Sequence, residues 1–525
     1  MTMGATKPRS KAIGDELQAV LPNDGRPWYT KAHLIKLNWV ILSLMLFSSA
    51  NGYDGSLMNG LQALDRWNDF MDTPTGAWLG FMGAIYWVGN GICYAMSAWV
   101  ANKYGRKPGI YLGYIFLVLG VAITAGDRDY YFVLMRFFVG CASAWFSGPV
   151  IALINEIAYP PHRGVSNALY NCGWYVGGTI GAFVTFGTRN YESDWSWRIP
   201  TYLQILLQIV ALPGLIFAPE SPRWLVSKDR NEEARRMLEI AHDGVNNPAL
   251  INYEMIEITA TLQAERQAAT SASYAEMITT KGNRHRLFIS ITIGLFSQWV
   301  GQGVISYYLP LVLNTVGVTS TRDQTLISAC LQVWNLIWSV AAAVLVDVLG
   351  RRFLFLSSAA IMLLGYVITT ALSGSFEERG NSGTGLAVIP FLFIFFAGYD
   401  ISLTPLVTAY PCEIWPYRLR SRGLTVMGIS VVVGIVFNTF VNPIALDNIG
   451  WKYYIVFMVI IVLYGITAFF TYPETRGHSL EQIAHIFDGD DAAAPPPEVI
   501  AEETAERGRS VTGSEKVALQ HVEKA

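Results

Sequence analysis

The sequence predicts an all-α polytopic membrane protein with twelve spanning helices in two pseudo-symmetric six-helix bundles. Three observations carry this. The chain of 525 residues is 52% hydrophobic and only 15% charged, against about 25% charged in ordinary soluble domains. Its apolar residues gather in twelve runs near the ~20 residues that a helix needs to cross a bilayer. Short polar motifs at the ends of those runs recur at matching places in the two halves.

The runs lie near 37–62, 76–99, 109–126, 130–154, 165–187, 199–218, 286–313, 323–347, 353–373, 386–410, 423–446 and 451–472. Several carry glycines and polar residues, as in YNCGWYVGGTIGAF, which suits helices packed closely around a polar path. Basic loops follow the even-numbered helices: Lys103, Arg106 and Lys107 after the second, Arg351 and Arg352 after the eighth, Arg418, Arg420 and Arg422 after the tenth. By the positive-inside rule those loops and both termini are cytosolic. The expected domains are a cytosolic tail (1–36), an N-terminal bundle (37–218), a cytosolic loop (219–285), a C-terminal bundle (286–472) and a cytosolic tail (473–525). The loop contains NEEARRMLEIA and PALINYEMIEITATLQAERQ, which read as short amphipathic helices. The first tail has no apolar region of the kind a cleavable signal needs. The last is acidic and rich in Pro and Ala, a composition that favours disorder.

The balance of charge excludes some functions. A net charge of −3 gives no reason to expect a nucleic-acid partner. Cys93, Cys141, Cys172, Cys330 and Cys412 fall in or beside apolar runs without metal-ligand or disulfide-framework spacing. No nucleophile–base grouping, metal motif or phosphate loop marks an enzyme. A monomer in the lipid bilayer with no cofactor is expected.

The repeat is visible in two places. YGRK at 104–107 recurs as LGRR at 349–352, each after the second helix of its half. NEIAYPPHRG at 155–164 is echoed by CEIWPYRLRSRG at 412–423, which puts Glu156 and Glu413 at equivalent ends of helices four and ten. Two parallel six-helix repeats with a site between them is the plan of an alternating-access carrier. Ion pairs such as Glu156 or Glu413 with Arg106 or Arg351 are expected to latch the cytosolic face, at the moderate strength that half-exposed pairs provide.

These motifs carry a resemblance. NKYGRK at 102–107, DVLGRR at 347–352, RFFVG at 136–140, PESPRWLVSKDR at 219–230 and PETRGHSLEQI at 473–483 resemble the signatures of the sugar porter family of the major facilitator superfamily, over about 37–485. GYDGSLMNG at 52–60, SQWVGQGVISYYL at 297–309, LQVWNLIWS at 331–339 and VNPIALDNIGWKYYIV at 441–456 are similar to its fungal lactose-permease and cellodextrin-carrier branch. The resemblance implies a plasma-membrane carrier that holds a sugar between its halves. A disaccharide or a hexose, imported with a proton, is the leading expectation. A facilitator or exporter of another polyhydroxylated metabolite, or a non-transporting sugar sensor, are the alternatives. Arg163, Glu220, Arg223, Arg420 and Glu474 lie in or beside the quoted motifs and join Arg106, Glu156, Arg351 and Glu413 as expected gate residues. The pocket departs from the family's glucose-binding pattern. Ser297 and Gly303 replace two amides, Gln302 stands for an asparagine, Asn171 for a glutamine and Thr408 for a tryptophan, and Val431 fills a polar position.

A sugar hydroxyl both donates and accepts, and side-chain amides match that, while aromatic faces cover the apolar side of the ring. Gln298 and Gln302 share a helix face, with Tyr307 and Tyr308 about two turns on. Asn171, Asn335, Asn438 and Thr408 complete the expected binding set. Trp299, Trp334 and Trp338 read as packing residues. Asp54 costs about 2.5–3.5 kcal/mol at mid-helix and is a functional candidate on that ground. Its expected partner is Arg136. Held by Arg136 in a wet cavity, Asp54 stays ionised; desolvated by closure, it takes up a proton. In the resembled family, proton symporters carry an acid here. The alternative is a permanent bridge that only fixes packing. The outer half of helix one, with Gly52, Gly55, Asn59 and Gly60, is expected to move as a gate, and Pro405 to loosen helix ten beside Asp400.

Overall fold

The computed structural model describes residues 20–21, 27–243, 246–271, 273–476 and 480–488. The expected disordered tail lies outside them, apart from a helix at Leu480–Asp488. Among the described residues, twelve long helical segments lie outside the loop that follows the sixth. In chain order they are Ala32–Gln62 (broken at Leu46–Phe47), Gly76–Tyr104, Arg106–Ile123, Asp129–Ile157, Arg163–Thr188, Trp195–Phe217, Lys281–Asn314, Thr321–Leu349, Arg351–Arg379, Ser382–Ile414, Tyr417–Ile449 and Tyr453–Thr471. They are called helices one to twelve below. Ten of them fall in stretches long and apolar enough to cross a membrane, helices eleven and twelve sharing the stretch Arg418–Thr471. The two outside are helices two and five. Helix two packs between four and eleven, and helix five between one and eight. Both are rich in glycine, which suits close packing against those neighbours. The pairs two–eleven and five–eight are also the long seams between the halves, and they are equivalent under the repeat.

Close seams rest on absent side chains. A Cβ on Gly52 would lie 1.7 Å from the Trp174 carbonyl oxygen, and one on Gly177 would lie 2.0 Å from that of Ser49. Helices one and five therefore touch backbone to backbone. Helices two and four do the same at Gly140, whose Cβ would meet the Tyr86 oxygen at 2.0 Å. Close approach through small residues is how membrane helices gain packing energy where lipid offers no hydrophobic drive.

Helices one and seven, the first of each half, both break in mid-course. Helix seven stops at Trp299 and restarts at Gln302 through Gly301, whose φ of +100° suits glycine. Tyr366 donates to the Gly301 carbonyl at 2.8 Å and holds the break. Helix ten breaks at Ile401–Ser402 rather than at Pro405. Pro405 falls in the first turn of the piece Leu403–Ile414, where a missing N–H leaves no ladder bond unmade.

The loop after helix six forms helices Pro222–Ser227, Asn231–Ala241 and Pro248–Ser271. Ser221 caps the first by accepting from the Trp224 N–H at 3.0 Å, with Pro222 at the first position. Together with the basic loops they mark one end of the molecule, here the basic end.

Candidate functional site

The Asp54–Arg136 pair forms as expected. Arg136 Nη1 lies 2.7 Å from Asp54 Oδ1 and 2.9 Å from Oδ2. Its Nε donates to the Met82 carbonyl at 3.1 Å, and the guanidinium lies over the Tyr86 ring. Both side chains are only 4% exposed. A crevice with space for about one water adjoins them, lined by Asn51, Gly55, Trp87, Tyr307 and Tyr308 among others.

Beside it lies a larger cavity of about 310 Å³ between the two halves. Gly55, Trp87 and Tyr307 line both spaces, so one layer of side chains separates the ion pair from the cavity. Six of the eight expected binding residues line the cavity: Asn171, Gln298, Gln302, Tyr307, Asn335 and Thr408. The amides are pre-arranged: Gln302 donates to Gln298 at 3.4 Å, and Ser306 to Gln302 at 2.9 Å. Asn335 Oδ1 and Gln332 Oε1 are buried without a hydrogen-bond partner among the described residues.

Two expectations differ. Tyr308 and Asn438 are not among the cavity residues. Tyr308 is buried and donates to the Thr439 carbonyl at 2.5 Å, and Asn438 is buried and donates to the Gln298 carbonyl at 2.8 Å. Both tie helix seven to helix eleven. The Tyr308 backbone leaves the helical region at φ −136°, ψ 32°, and the side chain points to helix eleven while that of Tyr307 lines the cavity. Besides Tyr307, the aromatic walls come from Trp87, Trp174, Tyr175, Phe396 and Tyr399, which no sequence pattern marks. Trp299 and Trp334 donate to backbone carbonyls of Gly434 and Phe393, as packing residues do.

At the end opposite the basic loops, the halves are stitched together. Pro310 has no N–H to give the Ser306 carbonyl, and that carbonyl accepts from Asn59 Nδ2. The Leu309 N–H donates to Asn59 Oδ1 at 3.0 Å, and Gln62 donates to the Tyr307 carbonyl at 2.8 Å. Helix one thus supplies the bonds that the proline break takes from helix seven.

At the basic end the expected gate residues form clusters inside each half. Arg106 pairs with Glu156 at 2.8 Å, and Arg351 with Glu413 at 2.8 Å. Glu220 accepts from the backbone N–H groups of Arg106 and Lys107 at 3.0 and 3.2 Å. Glu474 accepts from those of Arg351 and Arg352 at 2.9 and 3.0 Å. Each glutamate caps a helix N-terminus, where a negative charge is favoured. Arg163 pairs with Glu254 on the helix Pro248–Ser271 at 3.0 Å, and Arg420 Nε donates to the Trp415 carbonyl at 3.4 Å. Arg223 is half-buried and joins none of these pairs among the described residues. A latch made directly by these pairs across the halves is therefore not what this conformation has. Each pair spans equivalent helix ends of one half, because the repeat places both partners on the same bundle.

Burial works against the charge on Glu474, but hydrogen bonds from the N–H groups of Arg476, Arg351, Arg352 and Thr475 outweigh it and hold the carboxyl below its usual range. A lowered carboxyl stabilises the fold above the unfolded-state value, and that contribution is lost as pH falls through the lowered one. Glu474→Gln should lower the melting temperature of purified protein by about 2 °C at neutral pH. The difference from wild type should vanish in acid.

A central cavity between two six-helix repeats, with a buried ion pair one layer away, defines a membrane carrier. Residues 40–487 match the family described as "Sugar (and other) transporter", and the chain belongs to that family. Among its relatives, Hexose transporter 2 of Kluyveromyces lactis is 27% identical over 78% of this chain and 74% of its own. The sugar transporter STL1 of Saccharomyces cerevisiae is 29% identical over 75% of this chain and 70% of its own. The inward-open structure of the xylose transporter XylE from E. coli superposes with a TM-score of 0.69, at 21% identity, over 86% of this chain and all of that one. The likeness to XylE fixes the fold, that of the major facilitator superfamily. The protein is a multi-pass membrane carrier and not an enzyme.

Proposed function

We propose that the protein imports a sugar across the plasma membrane as a monomer, coupled to protons. The basic end and both termini lie in the cytosol, in keeping with the positive-inside rule. One observation carries the reading: an amide- and aromatic-lined cavity shares a wall, made of Gly55, Trp87 and Tyr307, with the Asp54–Arg136 pair. Substrate pressing on Tyr307 changes the packing of the pair, and release of the pair changes the cavity wall. Gln298, Gln302, Asn171, Asn335 and Thr408 bind hydroxyls, and Tyr307 closes the binding site toward Asp54. The names of the relatives, hexose and sugar transporters, favour a sugar, and the branch motifs at 297–309 and 331–339 favour a disaccharide or a hexose. The volume lies at the small end of ligand pockets.

The stitched end is the extracellular gate, opened when Asn59 and Gln62 leave helix seven. The intra-half clusters at Arg106–Glu156 and Arg351–Glu413 hold each bundle rigid at its cytosolic end, with Glu220 and Glu474 as caps and Arg163, Arg223 and Arg420 flanking them. The test is uptake of labelled glucose, galactose, lactose and cellobiose by a transporter-null host, with and without a protonophore. One of these should enter and be sensitive to the protonophore. Gln298→Ala should raise its half-saturation concentration about tenfold, the worth of one to two net hydrogen bonds. Uptake of none of the four would overturn the sugar reading.

A further inference from the structure

A second acid, Asp400, lies behind the cavity wall at the end of the piece Val388–Asp400 of helix ten and is fully buried. The hydroxyl of Tyr175, from helix five in the other half, donates to its Oδ1 at 2.5 Å. The Thr404 hydroxyl donates to the same oxygen at 2.8 Å. Oδ2 has no hydrogen-bond partner among the described residues. Tyr175 and Thr404 line the cavity; Asp400 is not among its lining residues. Unlike Asp54, Asp400 has two hydroxyls and no cation as hydrogen-bond partners among the described residues.

We infer that Asp400 is a positioning residue that fixes the polarity of two hydroxyls facing the substrate. The inference rests on the sugar reading of the cavity. A free hydroxyl rotates and offers either its hydrogen or its lone pairs. Here each hydroxyl has its single hydrogen committed to Asp400 Oδ1. Tyr175 and Thr404 therefore show the cavity lone pairs only. The direction holds in both charge states of Asp400. A carboxylate is an acceptor alone, and an acid with its proton on Oδ2 keeps Oδ1 as a carbonyl acceptor. The weaker approach of the two hydroxyls to each other, 3.4 Å, does not compete with the shorter bonds to the acid. The amides of Gln298, Gln302 and Asn171 accept and donate, so most of the cavity tolerates either role. The patch at Tyr175 and Thr404 accepts only, and the substrate group that meets it must donate. A sugar hydroxyl does; an ether oxygen or a fluorine does not.

Competition for D-glucose and D-galactose uptake by their deoxy and deoxyfluoro derivatives reads this directly, because fluorine accepts weakly and cannot donate. In the wild type, one ring position should lose about tenfold in affinity equally for the deoxy and the deoxyfluoro sugar, the worth of one net hydrogen bond. In Asp400→Asn, whose amide can itself donate, a hydroxyl hydrogen is freed toward the cavity. The deoxyfluoro penalty at that position should fall below about threefold while the deoxy penalty stays. Tyr175→Phe and Thr404→Val keep Asp400 and should shrink both penalties at that same position, which carries the test if Asp400→Asn fails to fold. A packing role alone would weaken every analogue by one common factor. That common factor, or fluorine tolerated at every position by the wild type, overturns the inference while leaving the sugar reading intact. A wild type that takes up neither sugar nor any of the four sugars named above overturns both.

Discussion

Asp54→Asn is expected to abolish accumulation of substrate against its gradient while preserving exchange of substrate across the membrane. A proton moving through about 100 mV supplies about 2.3 kcal/mol, which supports an about 50-fold gradient. Without a group that binds and releases the proton, that gradient falls to unity. The amide keeps the shape of the carboxyl and can still accept from Arg136 Nη1, which now lies 2.7 Å from Oδ1. Exchange needs only the cavity and the moving halves, so it should continue. A buried pair that loses one charge costs about 3–5 kcal/mol, so transport must be normalised to folded carrier at the cell surface. The rival is a permanent brace between helices one and four, and the complete burial of the pair is what a brace would also look like. The two part on accumulation per folded carrier: a brace mutant accumulates normally per molecule, whereas a coupling mutant loses accumulation.

Gly52→Ala should have the largest effect on folding of any single methyl group added in this seam. The new Cβ would stand 1.7 Å from a backbone oxygen of Trp174, and a backbone cannot rotate aside as a side chain can. Overpacking ordinarily costs about 1–3 kcal/mol, occasionally more. Here helices one and five must separate, and Gly173 and Gly177 are locked into the same seam against Met45, Ser48 and Ser49. Size-exclusion chromatography of a fluorescent fusion should show loss of the monodisperse peak. Gly55→Ala, one turn on, is the control. Its Cβ would meet nothing closer than Tyr307 Cε1 at 3.5 Å, and its peak should match the wild type. Equal profiles for the two variants would mean that the seam is looser than its geometry says.

Much of this was legible in the chain. Most of the twelve helices follow from apolar length, and the repeat marks Arg106, Glu156, Arg351 and Glu413 as partners, because both signals are local or duplicated; which acid meets which base came from the structure. Asp54 and Arg136 could be matched as the nearest plausible opposite charges in neighbouring apolar runs. The cavity was half legible. Periodicity tells which residues share a face, but not whether that face meets lipid, another helix or a void. Tyr308 was expected with Tyr307 on chemistry alone, yet neighbouring residues of a helix point about 100° apart, and Tyr308 faces helix eleven. Trp87 and Trp174 look like any tryptophan in an apolar run. Tyr175 and Asp400 are 225 positions apart, and no short-range pattern joins them.

The two glutamate caps have a bearing on how such a chain arises and can be taken apart. Gly105 and Gly350 both adopt positive φ, and a Cβ on either would meet the capping carboxylate, Glu220 or Glu474, at 2.7 Å. The same small machine thus exists twice, each copy built wholly from its own bundle. Glu254 fastens the intervening helices to the first bundle through Arg163, and Glu276 fastens the segment after them to the second through Arg418. A chain divided between 271 and 276 would leave each fragment with every charge needed to finish itself. Co-expressed as two polypeptides, the fragments have the seams two–eleven and five–eight, the stitches from helix one to helix seven and the Tyr175–Asp400 bond left to find.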